Sequence, residues 1–171
     1  GLPWNTAACP RCAVPLPGAS SPVPPCGACQ RRPPPLDAAH AAFVYRAPLD
    51  RLLPRFKFHR DLAAGRLLAD AMAARFASLP RPDAVLPVPL HPGRLRRRGY
   101  DQALELARPL ARALRLPLLD GALVRTRATT PQSELDASGR RRNLRDAFAV
   151  RGDARLPAHV ALVDDVMTTG A

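Results

Sequence analysis

The sequence is most distinctive for the side chains that it contains rarely. Only one of its 26 basic residues, Lys57, is a lysine, so almost all of the positive charge is carried by arginine. Aromatic residues make up 5% of the chain, which argues against an extended platform for stacking nucleic-acid bases. No apolar run approaches the roughly 18 residues needed to cross a bilayer, and residues 1–6 lack the basic and apolar regions of a signal peptide. We therefore expect a cytoplasmic protein without membrane insertion.

The residues that are present suffice for one ordinary domain and a small appendage. The chain has 171 residues, of which 47% are hydrophobic, enough for a packed core and too many for a disordered tail. The formal net charge is +12, and arginine forks match phosphate oxygens, so a phosphorylated ligand or a nucleic acid is compatible with it. Arginines can equally be solvated surface residues of an Ala/Arg/Pro-rich sequence. Only arginines within a patterned motif therefore count toward a site.

All four cysteines fall in two pairs near the start of the chain, Cys9 with Cys12 and Cys26 with Cys29. The spacing C-x2-C, thirteen residues, C-x2-C predicts two tight knuckles that complete a tetrahedral zinc site. Disulfides are the alternative, which a cytosolic location disfavours. A redox C-x2-C motif is disfavoured because neither pair is predicted to follow a strand and open a helix. Four sulfur ligands leave no open position, so the predicted zinc is structural.

The N-terminal segment is expected to depend on this metal. Ten of the first 35 residues are proline, and few apolar residues are left to form a core, so metal binding should supply most of the folding free energy. Residues 31–35, RRPPP, indicate a stiff connector. We therefore predict a zinc ribbon with its linker at 1–36 and a second domain at 37–171.

Beyond residue 36, strand patterns alternate with helix patterns. Helices are predicted at 49–58, 61–79 and about 101–116, the last kinked or split by Pro109. Strands are predicted at 41–45, 84–88, 122–125, 148–150 and 159–163, with loops at 89–100 and 126–145. This alternation predicts an α/β fold with a mostly parallel, doubly wound sheet covered on both faces. The last strand is continuously apolar, as a central strand buried on both sides would be.

The final twelve residues, VALVDDVMTTGA, carry the strongest functional pattern. Asp164 and Asp165 directly follow the apolar strand, and ligands of parallel sheets bind at the carboxyl ends of strands. The next residues are mostly small or hydroxylated and can curl so that backbone amides and two hydroxyls face one anion. Carboxylates for a diol beside a nest for a phosphate predict a site for ribose 5-phosphate. The alternative is a strand that ends in an Asp-rich turn and a helix N-cap.

VALVDDVMTTGA resembles the 5-phosphoribosyl 1-pyrophosphate (PRPP) loop of type I phosphoribosyltransferases. Other motifs narrow the resemblance, in this order: the two C-x2-C pairs, Tyr45, Phe56-Lys57-Phe58, VLPVPLHPGRLRRRGYDQA at 85–103, and Thr130-Pro-Gln132 with Leu135, Arg140, Asn143 and Ala147-Phe148. Together they resemble the ComF family, the competence-associated, phosphoribosyltransferase-like proteins with a zinc ribbon in front. The resemblance covers essentially the whole chain. It departs at Tyr100-Asp101, where Phe-Asn is common, and at Pro109.

The resemblance implies a role for each matching position. Asp164 and Asp165 would be the catalytic acids that hold the 2′- and 3′-hydroxyls of the ribose. The 5′-phosphate would be bound by the residues that follow them: Val166, Met167, Thr168, Thr169 and Gly170. The pyrophosphate would lie against the loop after the first core strand and its arginines: Val88, Pro89, Leu90, Arg94, Arg98 and Gly99. A flexible hood would contribute Gln132, Arg140 and Asn143, and magnesium would arrive bound to oxygens of PRPP.

Two functions are compatible with these residues. One is magnesium-dependent transfer of a phosphoribosyl group from PRPP to an unknown acceptor, with the two acids stabilising positive charge on the ribose. The other is a non-catalytic PRPP sensor that binds single-stranded DNA or proteins of the competence machinery. The resemblance implies DNA uptake as the setting of both. For Lys57 a functional role and a snorkelling surface position both stay open. A complete fold of this type needs a helix after Gly170, so we expect the C-terminus to be truncated, with impaired PRPP binding.

Overall fold

A computed structural model of the chain describes residues 1–18, 22–128, 144 and 146–167. The helices are α1 Gly27–Arg31, α2 Leu49–Phe58, α3 Leu62–Phe76, α4 Pro92–Arg98 and α5 Gln102–Leu114, and the strands are β1 Ala84–Pro87, β2 Leu123–Arg125, β3 Phe148–Val150 and β4 Val160–Val163. Contacts divide the chain into two compact units, Gly1–Leu53 and Pro54–Thr169. The domain boundary predicted after residue 36 stays a prediction.

Turns and single bridges organise the start of the first unit, because its many prolines lack the N–H that a longer ladder needs. The Cys9 amide donates to the Val14 carbonyl at 2.9 Å, and the Ala13 amide donates back to the Cys9 carbonyl at 2.8 Å. This closes a tight turn in which Ala13 has a φ of 57°. The strand predicted at 41–45 is reduced, in the described residues, to one bridge between Phe43 and Trp4, whose rings lie 4.9 Å apart.

Two pairs of strands form in the second unit. β1 and β4 run parallel, with Ala84 opposite Val160 and Pro87 opposite Val163. β2 and β3 run antiparallel. Every residue of β1 is buried, because β4 flanks it on one side, Leu118 forms a parallel bridge to Val85 and α5 packs against it. The described residues thus form a mixed structure of helices and strands with a small parallel sheet, and β1 rather than β4 is its most enclosed strand.

β4 differs from the prediction of a strand buried on both faces. Val163 is buried, but Leu162 is 62% exposed. Within the described ranges β4 is paired only with β1, so its other edge has no strand to cover it. The apolar run correctly indicated that a strand forms, but burial depends on how many neighbours surround the strand, which a local pattern does not contain.

The two helices that precede the sheet follow their predicted ranges closely. α2 has the predicted bounds. α3 begins one residue later than predicted, because Asp61 is its N-cap and accepts a hydrogen bond from the Ala64 amide at 3.0 Å, and it ends at Phe76 instead of residue 79. Nowhere in the described part of the chain does a helix combine the length and the apolar character that a bilayer crossing requires.

The region after β1 differs from the prediction in two places. The loop predicted at 89–100 contains the short helix α4, whose N-cap His91 accepts a hydrogen bond from the Gly93 amide at 3.1 Å through Nδ1. α5 runs as one helix through Pro109, so the alternative of two separate pieces is wrong. Proline inside a helix costs about 3 kcal/mol, and the buried Leu106 and Leu110 on the inner face of α5 offset that cost.

Phe56 is the centre of the helical core. Its side chain is fully buried, and its ring lies 5.9 Å from the ring of Tyr100. A glycine is required at position 65 of α3, because a Cβ there would stand 2.3 Å from Cε2 of Phe56. α3 in turn packs on α5, and α5 packs on β1, so this aromatic cluster supports the helices that cover the sheet.

Candidate functional site

The four cysteine sulfurs converge in the first unit. They all lie within 4.8 Å of one another, and none forms a disulfide. The Sγ atoms of Cys12 and Cys26 are 3.7 Å apart, close to the ~3.8 Å expected between two sulfurs bonded tetrahedrally to one zinc ion at about 2.3 Å. The predicted cluster is therefore present, and its donors and spacing fit a metal ion.

The surroundings of the sulfurs favour a cation at their centre. Burial raises the pKa of the Cys9 thiol, but amide hydrogen bonds, first that of Cys26 at 3.3 Å, outweigh it and lower the pKa to about 6. Burial, followed by the neighbouring sulfurs, raises the pKa of Cys29 to about 12. Four thiolates therefore do not coexist near neutral pH without a cation, whereas a bound metal ion compensates their charge.

The argument made from the sequence against a redox motif stands, because no strand directly precedes the second cysteine pair in residues 22–25, although the pair meets the other half of the pattern. Cys26 is the N-cap of α1 and Cys29 lies within that helix, so the second pair does open a helix. The convergence of all four sulfurs is a second argument against a redox motif, because it joins both pairs in a single cluster instead of leaving one pair to act as an exchangeable dithiol.

A second candidate site lies at the carboxyl ends of β1 and β4. Because the two strands are parallel, the residues that follow them meet at one edge of the sheet. The Val88 amide donates to the Val163 carbonyl at 2.9 Å, and this bond holds the start of the 88–90 loop beside Asp164 and Asp165. Of the predicted phosphate loop, Val166 is partly buried and Met167 is 45% exposed. The other predicted members of the site lie outside the described residues: Thr168, Thr169, Gly170, Gln132, Arg140 and Asn143.

The two adjacent acids have different surroundings. Asp165 pairs with Lys57, whose Nζ lies 2.9 Å from Oδ2, and their side chains are only 12% and 24% exposed. Asp164 accepts a hydrogen bond from the Asp165 amide at 2.8 Å. Burial, followed by the charge of Asp165, raises the pKa of Asp164 to about 7, although the residue is exposed to water. Water therefore reaches the residue, while the protein atoms and the negative charge near its carboxyl group disfavour the ionised form.

The raised pKa of Asp164 predicts that stability falls as the pH rises. In an unfolded chain an aspartate titrates near pH ~4, and in the folded protein Asp164 titrates near 7. The folded state therefore binds this proton more tightly, and the contribution is complete below pH ~4 and is lost as the pH rises through about 7. Thermal unfolding between pH 5 and 8 should show this slope.

Asp164→Asn is expected to flatten that slope. Asp153→Asn is the matched control, because Asp153 is an exposed carboxylate whose pKa is lowered by its hydrogen bond to Arg151, so it titrates below this range. If the pH dependence of stability is unchanged in Asp164→Asn, the raised pKa does not belong to Asp164.

Asp101 connects the loop after β1 to α5, a role that the sequence analysis missed. Its Oδ2 accepts a hydrogen bond from the Leu90 amide at 2.7 Å, and its Oδ1 accepts one from the Leu104 amide at 3.2 Å. The Val88 amide bonds to β4 and Pro89 has no N–H, so the amides of the 88–90 loop are all engaged or missing. An anion at this loop would therefore depend on other donors. The sequence could have revealed this role, because Asp101 stands directly before a predicted helix and aspartate is a typical N-cap residue.

Asp101→Asn should destabilise the protein by about 1 kcal/mol. Asparagine has one carboxamide oxygen, so it cannot accept both amides in the way that the carboxylate does. Hydrogen exchange at the Leu90 amide should become faster, and chemical denaturation should report the stability. Asp61→Asn is the control, because Asp61 caps α3 through a single amide, which asparagine serves equally well, and the ion pair that it loses is with the exposed Arg55 and contributes little. Equal effects of the two changes would refute the proposed role of Asp101 in holding the 88–90 loop to α5.

Arg125, at the end of β2, is a further cation within electrostatic reach of Asp164, and the sequence analysis did not single it out. Burial, followed by the charge of Arg94, lowers the pKa of Arg125, and the charge of Asp164 opposes this. Arg94, predicted for pyrophosphate, therefore shares an electrostatic environment with Arg125 and Asp164. The Arg125 guanidinium also lies 5.1 Å from the centre of the Phe148 ring.

Arg98 and Gly99, also predicted for pyrophosphate, are engaged elsewhere in the structure. The Arg98 guanidinium lies 5.3 Å from the centre of the Phe58 ring, and it donates to the side-chain oxygen of Gln102. Gly99 ends α4 with a φ of 88°, and a Cβ there would stand 3.3 Å from Nη2 of Arg60. The close approach that Gly99 permits here is that of Arg60, while the predicted pyrophosphate role of both residues stays a prediction.

These features define the class of the molecule: a mixed helix-and-strand protein with a small parallel sheet, a four-cysteine cluster and an acid pair at the carboxyl edge of the parallel strands. No protein-family model and no solved structure matches the chain. It is 40% identical over 172 residues to DNA utilization protein YhgH of Salmonella typhi, covering 95% of this chain and 73% of that protein. YhgH of Escherichia coli (strain K12) is 38% identical, and the match again covers 95% of this chain and 73% of that protein. Competence protein F of Haemophilus influenzae is 40% identical over 154 residues, 85% of this chain and 67% of that protein. The chain belongs to the ComF family.

Proposed function

We propose that this protein binds PRPP with magnesium at the carboxyl edge of β1 and β4 and transfers its phosphoribosyl group to an acceptor. The observation that carries the proposal is the parallel register, which sets Asp164 and Asp165 beside the loop that follows β1. The acids that would bind the diol then lie within electrostatic reach of arginine charge that would bind phosphates. The complete type I phosphoribosyltransferase fold over 37–171 and a location in the cytoplasm belong to this proposal.

The chemistry follows from the charges of the site. Magnesium, when bound with PRPP, would neutralise part of the pyrophosphate charge. Asp164 and Asp165 would accept hydrogen bonds from the 2′- and 3′-hydroxyls and so fix the ribose. As the bond between the anomeric carbon and the pyrophosphate oxygen breaks, positive charge develops on the ribose ring, and the nearby carboxylates stabilise it. Positioning and electrostatics are sufficient for such a reaction, without a covalent nucleophile.

For the cysteine cluster, within the ribbon proposed at 1–36, we propose a structural zinc ion. Four sulfurs in a tetrahedral arrangement suit zinc and leave no position for a substrate. The ion would hold the two knuckles together and would take no part in the reaction.

Titration calorimetry with Mg·PRPP tests the function. We expect the wild-type protein to bind, and the double change Asp164→Asn with Asp165→Asn to abolish both binding and any pyrophosphate release with a panel of bases and amines. The control is Asp70→Asn with Asp153→Asn, which changes two exposed carboxylates paired with surface arginines. If the wild-type protein does not bind Mg·PRPP, the proposed function is wrong. Binding without pyrophosphate release would remove the transferase part alone.

A second candidate function is a PRPP sensor that binds single-stranded DNA or competence proteins. The observation that favours it is Phe58, which is 67% exposed and lies under the guanidinium of Arg98, an aromatic and cationic pair of the kind that stacks on bases. The names of the relatives, DNA utilization protein and competence protein, agree with a role in DNA uptake.

The DNA-binding function predicts affinity for single-stranded DNA that falls steeply with salt. Phe58→Ala should weaken this affinity, while the double change of Asp164 and Asp165 to asparagine should preserve it. Loss of DNA binding in the aspartate variant, or none in the wild-type protein at low salt, would exclude this function.

A further inference from the structure

The single lysine of the chain lies at the candidate PRPP site. Lys57 is in the last turn of α2, and its Nζ approaches Oδ2 of Asp165 to 2.9 Å. The remaining 25 of the 26 basic residues are arginines. Lysine differs from arginine in carrying a compact point charge with three N–H donors, so it can hold a carboxylate and still donate to an oxygen of a ligand.

This ion pair is more enclosed than the others of the described residues that resemble it. The Lys57 and Asp165 side chains are 24% and 12% exposed. Arg55 and Asp61, the nearest comparable pair in sequence, are 64% and 20% exposed, and Arg66 and Asp70 are 60% and 53% exposed. An exposed ion pair holds its side chains in place only weakly, because water screens the two charges. Removing one partner of an enclosed pair, in contrast, leaves the other charge without compensation.

The pair also places a positive charge next to two adjacent acids. Asp164 and Asp165 are neighbours in sequence, and their charges disfavour each other. The charge of Lys57 counters this effect on Asp164 as well. A snorkelling surface lysine, the alternative left open by the sequence, would extend into solvent and would not join α2 to the end of β4.

We propose that Lys57 is a positioning residue of the PRPP site, whose ammonium fixes the Asp165 carboxylate at the carboxyl edge of β4 so that it meets a ribose hydroxyl. This inference rests on the proposed function. It adds an element, α2, to a site that the sequence analysis assembled from the loops after β1 and β4 and a hood. The ammonium stays with Asp165 as its counter-charge when the ligand is bound.

Three variants test this role by calorimetry with Mg·PRPP. Lys57→Met keeps the length of the side chain and removes its charge, and we expect affinity to fall at least about tenfold. Lys57→Arg restores the charge, although as a planar guanidinium instead of a compact ammonium, and should recover most of the affinity, to within about threefold of wild type. Arg55→Met removes the comparable exposed pair two residues earlier and should stay within about twofold. Circular dichroism of each variant checks that the fold is retained.

A measurement on the wild-type sequence keeps the inference testable if Lys57→Met fails to fold. Reductive methylation with 13C-formaldehyde gives one dimethyl-lysine signal, identified by its loss in Lys57→Arg. Asp165→Asn should shift this signal without any ligand, and Mg·PRPP should shift it in the wild-type protein.

The outcomes separate the two claims. If Asp165→Asn shifts the signal but wild type does not bind Mg·PRPP, the ion pair exists and the proposed function fails. If wild type binds Mg·PRPP while Lys57→Met and Arg55→Met bind equally well, or the ligand leaves the lysine signal unmoved, the positioning role is refuted and the proposed function stands.

Discussion

Removal of the proposed zinc ion with a strong chelator should unfold the cysteine-rich start of the chain and leave the second unit folded. The physical reason is that this segment has almost no core of its own. In the described part of residues 1–36, the buried hydrophobic residues are Cys9, Ala13 and Cys29, and two of these are cysteines of the cluster. Structural zinc in small domains supplies about 10–16 kcal/mol, far more than burial of one alanine can contribute.

Trp4 provides a selective measurement of this effect. It is the only tryptophan of the chain, it lies in the first unit, and its ring packs 4.9 Å from that of Phe43. Chelation should shift its fluorescence to the red, while amide protection in β1 and α5 persists. Zinc should reverse the change and magnesium should not. Unchanged fluorescence in a protein shown by elemental analysis to have lost its zinc would refute a structural role.

Phe56→Ala should cost about 3–5 kcal/mol of the free energy of unfolding. The Phe56 side chain is fully buried, packs on the Tyr100 ring and fills the space above Gly65. Its truncation leaves a cavity beneath α3, where the surrounding helices can collapse only in part. Chemical denaturation monitored by circular dichroism measures the loss.

Phe58→Ala is the matched control on the same helix. Phe58 is 67% exposed, so its removal should change the free energy of unfolding by no more than about 0.5 kcal/mol. Gly65→Ala gives a further check, because its Cβ would stand 2.3 Å from Phe56. Gly65→Ala should destabilise the wild-type protein by about 1–3 kcal/mol. In a protein that already carries Phe56→Ala, the same change should cost much less, because the ring that it meets is gone. Similar losses from Phe56→Ala and Phe58→Ala would refute this account of the core.

Sequence patterns predicted most elements where the signal was local and strong. α2 has its predicted bounds, and the strands at 84–87 and 160–163 were placed to within one residue. α4 was missed because PGRLRRR is short and begins with two residues that are unfavourable inside helices, although proline at the first position is well tolerated. The split at Pro109 was wrong because packing of the apolar face of α5 overrides a local penalty.

The candidate sites were predictable to different degrees. The spacing of the four cysteines was sufficient to predict their convergence. Each C-x2-C pair forms a local turn, so only the contact between the two turns has to form over a longer distance in the chain. The motif at Asp164 and Asp165 indicated where a ligand could bind, but not that the two acids differ. Asp101 was noticed only as a departure from a resemblance, and Arg125 was not noticed.

By itself, the sequence determined the order of most of the elements, the cysteine cluster and the position of the acid pair at the end of a strand, because these features depend on spacing over a few residues. Only the tertiary structure decided that β1 pairs in parallel with β4, that Lys57 meets Asp165, and that Phe56 requires a glycine at position 65. These contacts join segments that are separate in the chain. They form because buried surfaces must fit together, and no local periodicity encodes that fit.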